Sequence, residues 1–214
     1  MGLLKDADQA KLRETFSALT NDVRLVMFTQ QFECQYCRST RELLQETAAL
    51  SERISLEIFD FVADSEQVKL YGIDKAPATV VLGERDYGIR FYGVPSGYEF
   101  VTLIEDILDV GGRGHGLPPE VLTVLAKVDK PIRIEVLISP TCPYCPKAVR
   151  TAHRFAMANE LIRGEMIETS EFPYLAQRYN VQSVPHTVIN EKLSLVGALP
   201  EIEIAGKLIE ALGG

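Results

Sequence analysis

The four cysteines of this chain fall into two pairs of one spacing, Cys34-Gln35-Tyr36-Cys37 and Cys142-Pro143-Tyr144-Cys145, set 108 positions apart. The same offset recurs at landmarks unrelated to cysteine. Ala76-Pro77 falls on Val184-Pro185, Tyr71-Gly72-Ile73 on Tyr179-Asn180-Val181, and Glu57 on Glu165. A register held across independent landmarks marks a duplicated unit. In 214 residues, two units of about 100 residues match ordinary domain size. The densest glycine stretch, Gly111-Gly112-Arg113-Gly114-His115-Gly116, precedes Pro118-Pro119 and reads as helix stop, linker and helix start. This places one unit at 1–115 and the other at 116–214.

Each unit repeats the same pattern of elements. Short β-rich runs at 23–28 and 132–138 lead into the cysteines, and helix-forming segments at 38–50 and 147–159 follow them. Strands are expected at 54–61 and 165–168, short helices at 65–70 and 172–179, hairpins at 79–92 and 187–196, and closing helices at 98–110 and 201–212. An extra helix opens each unit, at 8–19 and 119–128. The order βαβαββα implies an α/β fold, a mixed sheet with helices on both faces and a right-handed parallel crossover.

A CxxC pair at a helix start is suited to reversible sulfur chemistry. Residues three apart share a helix face with β-carbons about 5–6 Å apart, so a small adjustment closes a disulfide. The first cysteine sits at the positive end of the helix dipole, which favours the thiolate. The second is placed to attack a mixed disulfide formed by the first. Cys34 and Cys142 are therefore read as nucleophiles, and Cys37 and Cys145 as resolving cysteines. The sulfurs carry the electrons, so no bound cofactor is implied.

Pro77 and Pro185 open the strands expected beside the cysteines, where a cis peptide can be held in a tight turn. The preceding Ala76 and Val184 would then offer backbone N–H and C=O groups to an extended substrate segment. Tyr36 and Tyr144 share one motif position and are candidate substrate contacts. Glu57 and Glu165, repeat equivalents on the strand after the active-site helix, are candidate acceptors for the resolving thiol's proton. His115, His153 and His186 have no repeat partners and are read as non-catalytic. Pro143 stiffens the second loop where Gln35 leaves the first freer, which implies unequal sites with the C-terminal one dominating turnover.

These residues together resemble the thioredoxin superfamily, and the tandem arrangement is similar to the glutaredoxin-like protein disulfide oxidoreductases of hyperthermophiles. Thr141-Cys142-Pro143-Tyr144-Cys145 resembles the glutaredoxin motif, and Cys34-Gln35-Tyr36-Cys37 the variant of the family's first half. The resemblance covers nearly the whole chain and implies two tandem thioredoxin-like domains, each a central mixed sheet flanked by helices. It implies reduction, formation and isomerisation of protein disulfides. The chain departs from thioredoxins in holding Glu33 and Thr141 where they carry tryptophan, and Phe28 and Val136 where they carry a buried aspartate. Val196-Gly197-Ala198-Leu199-Pro200 stands where glutaredoxins hold glutathione through a Gly-Gly and a downstream aspartate.

Two other readings compete. Four thiolates could make a zinc module, but more than 100 residues separate Cys37 from Cys142, far outside the usual ligand spacing; no metal site is expected. The chain could instead carry electrons from a flavoprotein of the thioredoxin-reductase type to a peroxiredoxin. It has no glycine-rich dinucleotide fingerprint, so on this reading the flavin belongs to the partner. A net charge of −8 argues against a nucleic-acid partner. Residues 1–20 are polar and charged, with no signal-like core, and no apolar run approaches the roughly 20 residues that span a bilayer. A cytoplasmic address is expected, and there cysteines are more often catalytic or metal-binding than structural.

Overall fold

The computed structural model describes residues 2–213. The first repeat runs α1 (Asp6–Phe16), β1 (Val23–Thr29), α2 (Cys37–Ala48), β2 (Ile54–Asp60), α3 (Ser65–Tyr71), β3 (Ala78–Leu82), β4 (Asp86–Tyr92) and α4 (Glu99–Leu108). The second runs α5 (Pro119–Leu125), β5 (Ile132–Ile138), α6 (Cys145–Ala158), β6 (Ile162–Glu168), α7 (Pro173–Arg178), β7 (His186–Ile189), β8 (Leu193–Val196) and α8 (Glu201–Leu212). A wide turn at Asp109–Arg113 and the coil around His115 join them. Among the described residues, no helix is long and apolar enough to cross a membrane.

The two repeats share one eight-stranded mixed sheet, ordered β2-β1-β3-β4-β6-β5-β7-β8. Within each repeat the order is the same, and the join is a parallel pairing of β4 with β6 that sets Arg90 opposite Glu165 and Phe91 opposite Met166. The units proposed at 1–115 and 116–214 are thus repeats of one continuous sheet. β1, β2, β4, β5 and β6 all point the same way, so both cysteine pairs lie at one end of the sheet.

Alternation along the strands divides the core. Leu25, Met27, Ile134, Val136 and Met166 face one side, where α1, α2, α4, α5, α6 and α8 supply Phe16, Leu44, Leu103, Leu125, Phe155 and Leu208. Val26, Phe28, Leu137 and Ile167 face the other side, covered by Ile73 after α3 and by Phe172 and Leu175 at α7. Between α3 and α7 that second face is filled by charge. Arg163 donates to the carbonyls of Tyr71 and Gly72 at 2.8 Å, and Arg90 to that of Tyr71 at 3.0 Å, satisfying acceptors at the C-terminus of α3.

β6 begins at Ile162, three residues before the expected 165–168, so Gly164 is not a break at the strand's start. It is instead a contact requirement, since a β-carbon there would sit 2.5 Å from the Ala152 carbonyl of α6. Gly164→Val is expected to destabilise the fold by about 2–3 kcal/mol through overpacking. Gly206→Ala in α8, where a β-carbon meets nothing within 4 Å, is expected to gain up to about 1 kcal/mol. Denaturant unfolding of both variants checks this.

Candidate active site

β1 and β5 end at the same edge of the sheet, and each releases the chain into a loop that turns into α2 or α6. Cys34 and Cys142 lie in those loops, while Cys37 and Cys145 are the first residues of the helices. Both pairs are closed as disulfides, with Cα–Cα separations of 5.4 and 5.5 Å. Cys34 is half-buried and Cys142 is 8 % exposed, and their partners Cys37 and Cys145 are buried. Attack from solvent therefore reaches the first cysteine of each pair. The Gln30 N–H donates to Cys37 Sγ at 3.3 Å.

The loops before β3 and β7 meet this edge, and Ala76–Pro77 and Val184–Pro185 are both cis, as the paired prolines suggest. In the second repeat Cys142 Sγ lies 3.7 Å from the Val184 carbonyl oxygen, so backbone and sulfur share one site. The loops also match in their hydrogen bonds: Gly93 N–H donates to Pro77 C=O at 3.0 Å and Gly197 N–H to Pro185 C=O at 2.8 Å. Tyr144 is 71 % exposed beside Cys145. Tyr36 is half-buried and lines a groove with Leu43, Val94 and Phe100. The structure thus brings together the cysteines, the cis-proline loops and the two tyrosines.

It does not bring Glu57 or Glu165 to the sulfurs. On β6, Gly164 and Met166 face α6, so Glu165 between them points to the opposite side of the sheet. There it is fully buried and held by Arg133 at 2.7 Å and Arg163 at 3.0 Å. Glu57 alternates in the same way between Leu56 and Ile58, and pairs with Arg24 at 3.3 Å in a more exposed setting. These carboxylates hold arginines on the far face, and the proton-acceptor expectation for them is withdrawn. His153 is also structural, since its Nδ1 lies 2.5 Å from Asp106 of α4. His186 is buried, and burial lowers its pKa. Among the described residues no cluster of His, Cys, Asp or Glu has metal-site geometry.

A different carboxylate stands on the cysteine side. Glu99 opens α4 and is fully buried in line with Thr102, Leu103 and Asp106, the stripe that α4 turns inward. Its first turn is fastened to the loop before Cys142, because Tyr98 N–H donates to Pro140 C=O at 3.2 Å. Gly97, at φ +60°, lies against that same carbonyl. Burial pushes the Glu99 carboxyl up to about 7, with Asp106 adding to the rise and the Thr102 hydroxyl, 2.6 Å from Oε2, opposing it. Oε1 is buried with no partner among the described residues. Glutamate in the first turn of a helix reads as a solvent-facing dipole partner. The signal that contradicts this is its i, i+3, i+4, i+7 register with the buried stripe.

Residues 132–210 match the family model of the thioredoxin domain. A solved alkyl hydroperoxide reductase AhpF of Enterococcus faecalis (C503A mutant) is 30 % identical with a TM-score of 0.88, covering 96 % of this chain and 99 % of that one. A protein disulfide oxidoreductase of Aeropyrum pernix is 28 % identical with a TM-score of 0.91, covering 98 % and 94 %. Among curated proteins, an NADH dehydrogenase of Bacillus subtilis is 26 % identical over 94 % of this chain and 37 % of its own length. An alkyl hydroperoxide reductase component of Xanthomonas campestris pv. phaseoli is 29 % identical over 80 % and 31 %. The chain belongs to the thioredoxin superfamily. Within it, the chain is a tandem thioredoxin-fold protein with two CxxC disulfide sites, spanning about a third of the length of these curated relatives.

Glu99 supplies a pH test with a definite sign. Its proton binds more tightly in the folded state, so folding gains a contribution that is complete below the unfolded value of about 4.3. That contribution is lost as pH rises through about 7. Glu99→Gln abolishes this dependence. Relative to the wild type, the variant is expected to gain stability from pH 4 to pH 8 on the order of 3 kcal/mol. Equilibrium unfolding at both pH values measures the difference.

Proposed function

We propose that the chain is a protein dithiol–disulfide oxidoreductase whose two sites exchange disulfides with protein substrates. The observation that carries this reading is the repeated unit of CxxC, helix start and cis-proline loop at one edge of one sheet. In the reducing direction the Cys142 thiolate attacks a substrate disulfide. A mixed disulfide forms, and one substrate sulfur leaves as thiolate and takes a proton. The Cys145 thiol then loses its proton and attacks Cys142. The second substrate sulfur leaves, and Cys142–Cys145 closes. That second substrate sulfur also takes a proton, so two electrons pass from the pair to the substrate with two protons, one from Cys145 and one from solvent, into which Cys142 had released its own. Cys34 and Cys37 repeat the sequence at the first site. The helix N-termini favour the attacking thiolates, and the backbone of Ala76 or Val184 pairs with the substrate segment beside Pro77 or Pro185. Tyr36 and Tyr144 flank its path.

We assign Glu99 as the acceptor for the resolving proton at the C-terminal site, because it is buried at the start of α4 where Tyr98 bonds the Pro140 carbonyl before Cys142, and a carboxyl raised to about 7 exchanges protons efficiently at neutral pH. Exchange at that site is expected to slow as pH falls through 7 in the wild type and to lose that inflection in Glu99→Gln.

Similarity to alkyl hydroperoxide reductase AhpF favours a specific direction of flow. On this reading the protein takes electrons from a flavoprotein of the thioredoxin-reductase type and delivers them to a peroxiredoxin. The electrons rest on the sulfurs, so the chain needs no cofactor of its own. Isomerisation of non-native disulfides uses the same first attack. A cytoplasmic setting keeps the pairs supplied with reductant.

Serine substitutions test the roles. Cys142→Ser is expected to abolish attack at its site, and Cys145→Ser to accumulate the covalent mixed disulfide, read by mass spectrometry. Trapping by the Cys142→Ser protein instead would reverse the assignment. Loss of the C-terminal pair is expected to lower disulfide-reductase turnover more than loss of the N-terminal pair.

A further inference from the structure

The two active-site loops differ in length. Four residues, Gln30-Gln31-Phe32-Glu33, separate β1 from Cys34, and three, Ser139-Pro140-Thr141, separate β5 from Cys142. Glu33 takes up the extra residue at φ +57°, a region that L side chains rarely occupy. Gln30 Nε2 braces the bulge by donating to the Phe32 carbonyl at 2.8 Å. The result turns Phe32 outward to 78 % exposure. A single exposed aromatic is unremarkable in itself. This one, however, shares a cleft of about 300 Å³ with Val62, itself 71 % exposed, and with Ala63, in the loop that follows β2.

The cleft continues into the active site. Gln30 and Gln31 line it, and they also line the adjoining hollow of about 220 Å³ that contains Cys34 and Cys37. β1 pairs with β2 on one side and with β3 on the other, so the cleft lies on the β2 side of the cysteines and Pro77 on the β3 side. A polypeptide crossing Cys34 therefore reaches the cis-proline edge in one direction and the Phe32–Val62 cleft in the other. The second site lacks the bulge, and its loop is covered by Gly97 and Tyr98.

We propose that Phe32 and Val62 form an apolar subsite for a large apolar side chain next to the substrate's disulfide, making the N-terminal site selective for disulfides in apolar sequence. The proposal rests on the thiol–disulfide reading above and adds the context that this site prefers. The occupant is a segment of the substrate polypeptide, because the cleft is continuous with the sulfur it must reach. Its volume of about 300 Å³ admits a Leu, Met or Phe side chain with room for neighbouring chain atoms. Arg38 and Arg41 on one flank are balanced by Asp60 and Asp64 on the other, so the selection is for apolar surface and not for charge.

The test uses the whole 214-residue chain carrying Cys142→Ser and Cys145→Ser, reduced beforehand, with two disulfide-linked peptides that differ in Leu or Ser beside the cysteine. The second-order rate constant is expected to favour the Leu peptide about tenfold, the range one apolar side chain in a pocket supplies. Phe32→Ala and Val62→Ser are expected to bring the ratio near unity, and Phe32→Leu to restore it. Protein retaining only the C-terminal pair is expected to show no such preference. A Leu preference that survives both Phe32→Ala and Val62→Ser, or one missing from the parent, overturns the subsite. If Phe32→Ala shifts sedimentation from dimer to monomer with selectivity unchanged, the cleft is a contact between copies and the proposal also fails. If the N-terminal pair reduces neither peptide, the exchange chemistry itself is wrong at that site.

Discussion

The pairing of β4 with β6 governs the rest of this structure, because it turns two copies of a small fold into one sheet with both cysteine pairs at the same edge. It is reinforced on both faces. On one, Arg163 of the second repeat satisfies the carbonyls that end α3 of the first, and Arg133 of the second pairs with Asp74 of the first at 2.8 Å. On the other, Arg150 of α6 pairs with Asp106 and with Asp109, the latter at 2.5 Å, and His153 shares Asp106. Buried pairs of this kind add little net stability over an apolar replacement, but removing one partner costs about 3–5 kcal/mol. They act chiefly to fix the orientation of one repeat on the other. The free edge strands carry less of it: Arg24–Glu57 repeats the Arg133–Glu165 pair in a more exposed setting, but Ser194 stands on β8 where Arg90 stands on β4, and Ser55 on β2 where Arg163 stands on β6.

The same pairing separates the two sites and makes them unlike. β1 and β5 are four strand spacings apart in the sheet, about 19 Å at the usual inter-strand distance. Sulfurs on a fixed sheet cannot exchange directly over that gap, so each pair meets substrate on its own. The join also places α4 of the first repeat beside α6 of the second, and with it Glu99 beside the loop that carries Cys142. The first site has instead a longer loop, a more exposed first cysteine and an apolar cleft.

Much of this was legible in the sequence where the signal is local. A CxxC before a helix, a proline opening the next strand and a constant offset of 108 locate both sites without tertiary knowledge. What escaped depends on which surface a residue meets. Glu57 and Glu165 share the cysteines' repeat register but not their face of the sheet. Alternation alone left their facing open, because nothing local in the sequence says which face of β6 meets α6. Gly164 is in the strand because α6 comes too close for any side chain. Glu99 was unreadable for the converse reason: its stripe on α4 is visible, but the element that buries it belongs to the other repeat. The sheet that joins the repeats has no signature within either one.

The central claim is that one sheet carries two dithiols that exchange independently. Redox titration in defined thiol–disulfide buffers, on the wild type and on variants retaining one pair, tests it most directly. Reversible two-electron transitions with different midpoints are expected for the two single-pair proteins, and their sum reproduces the wild-type curve. A wild-type curve that departs from that sum, or a pair that does not reoxidise reversibly, would contradict it.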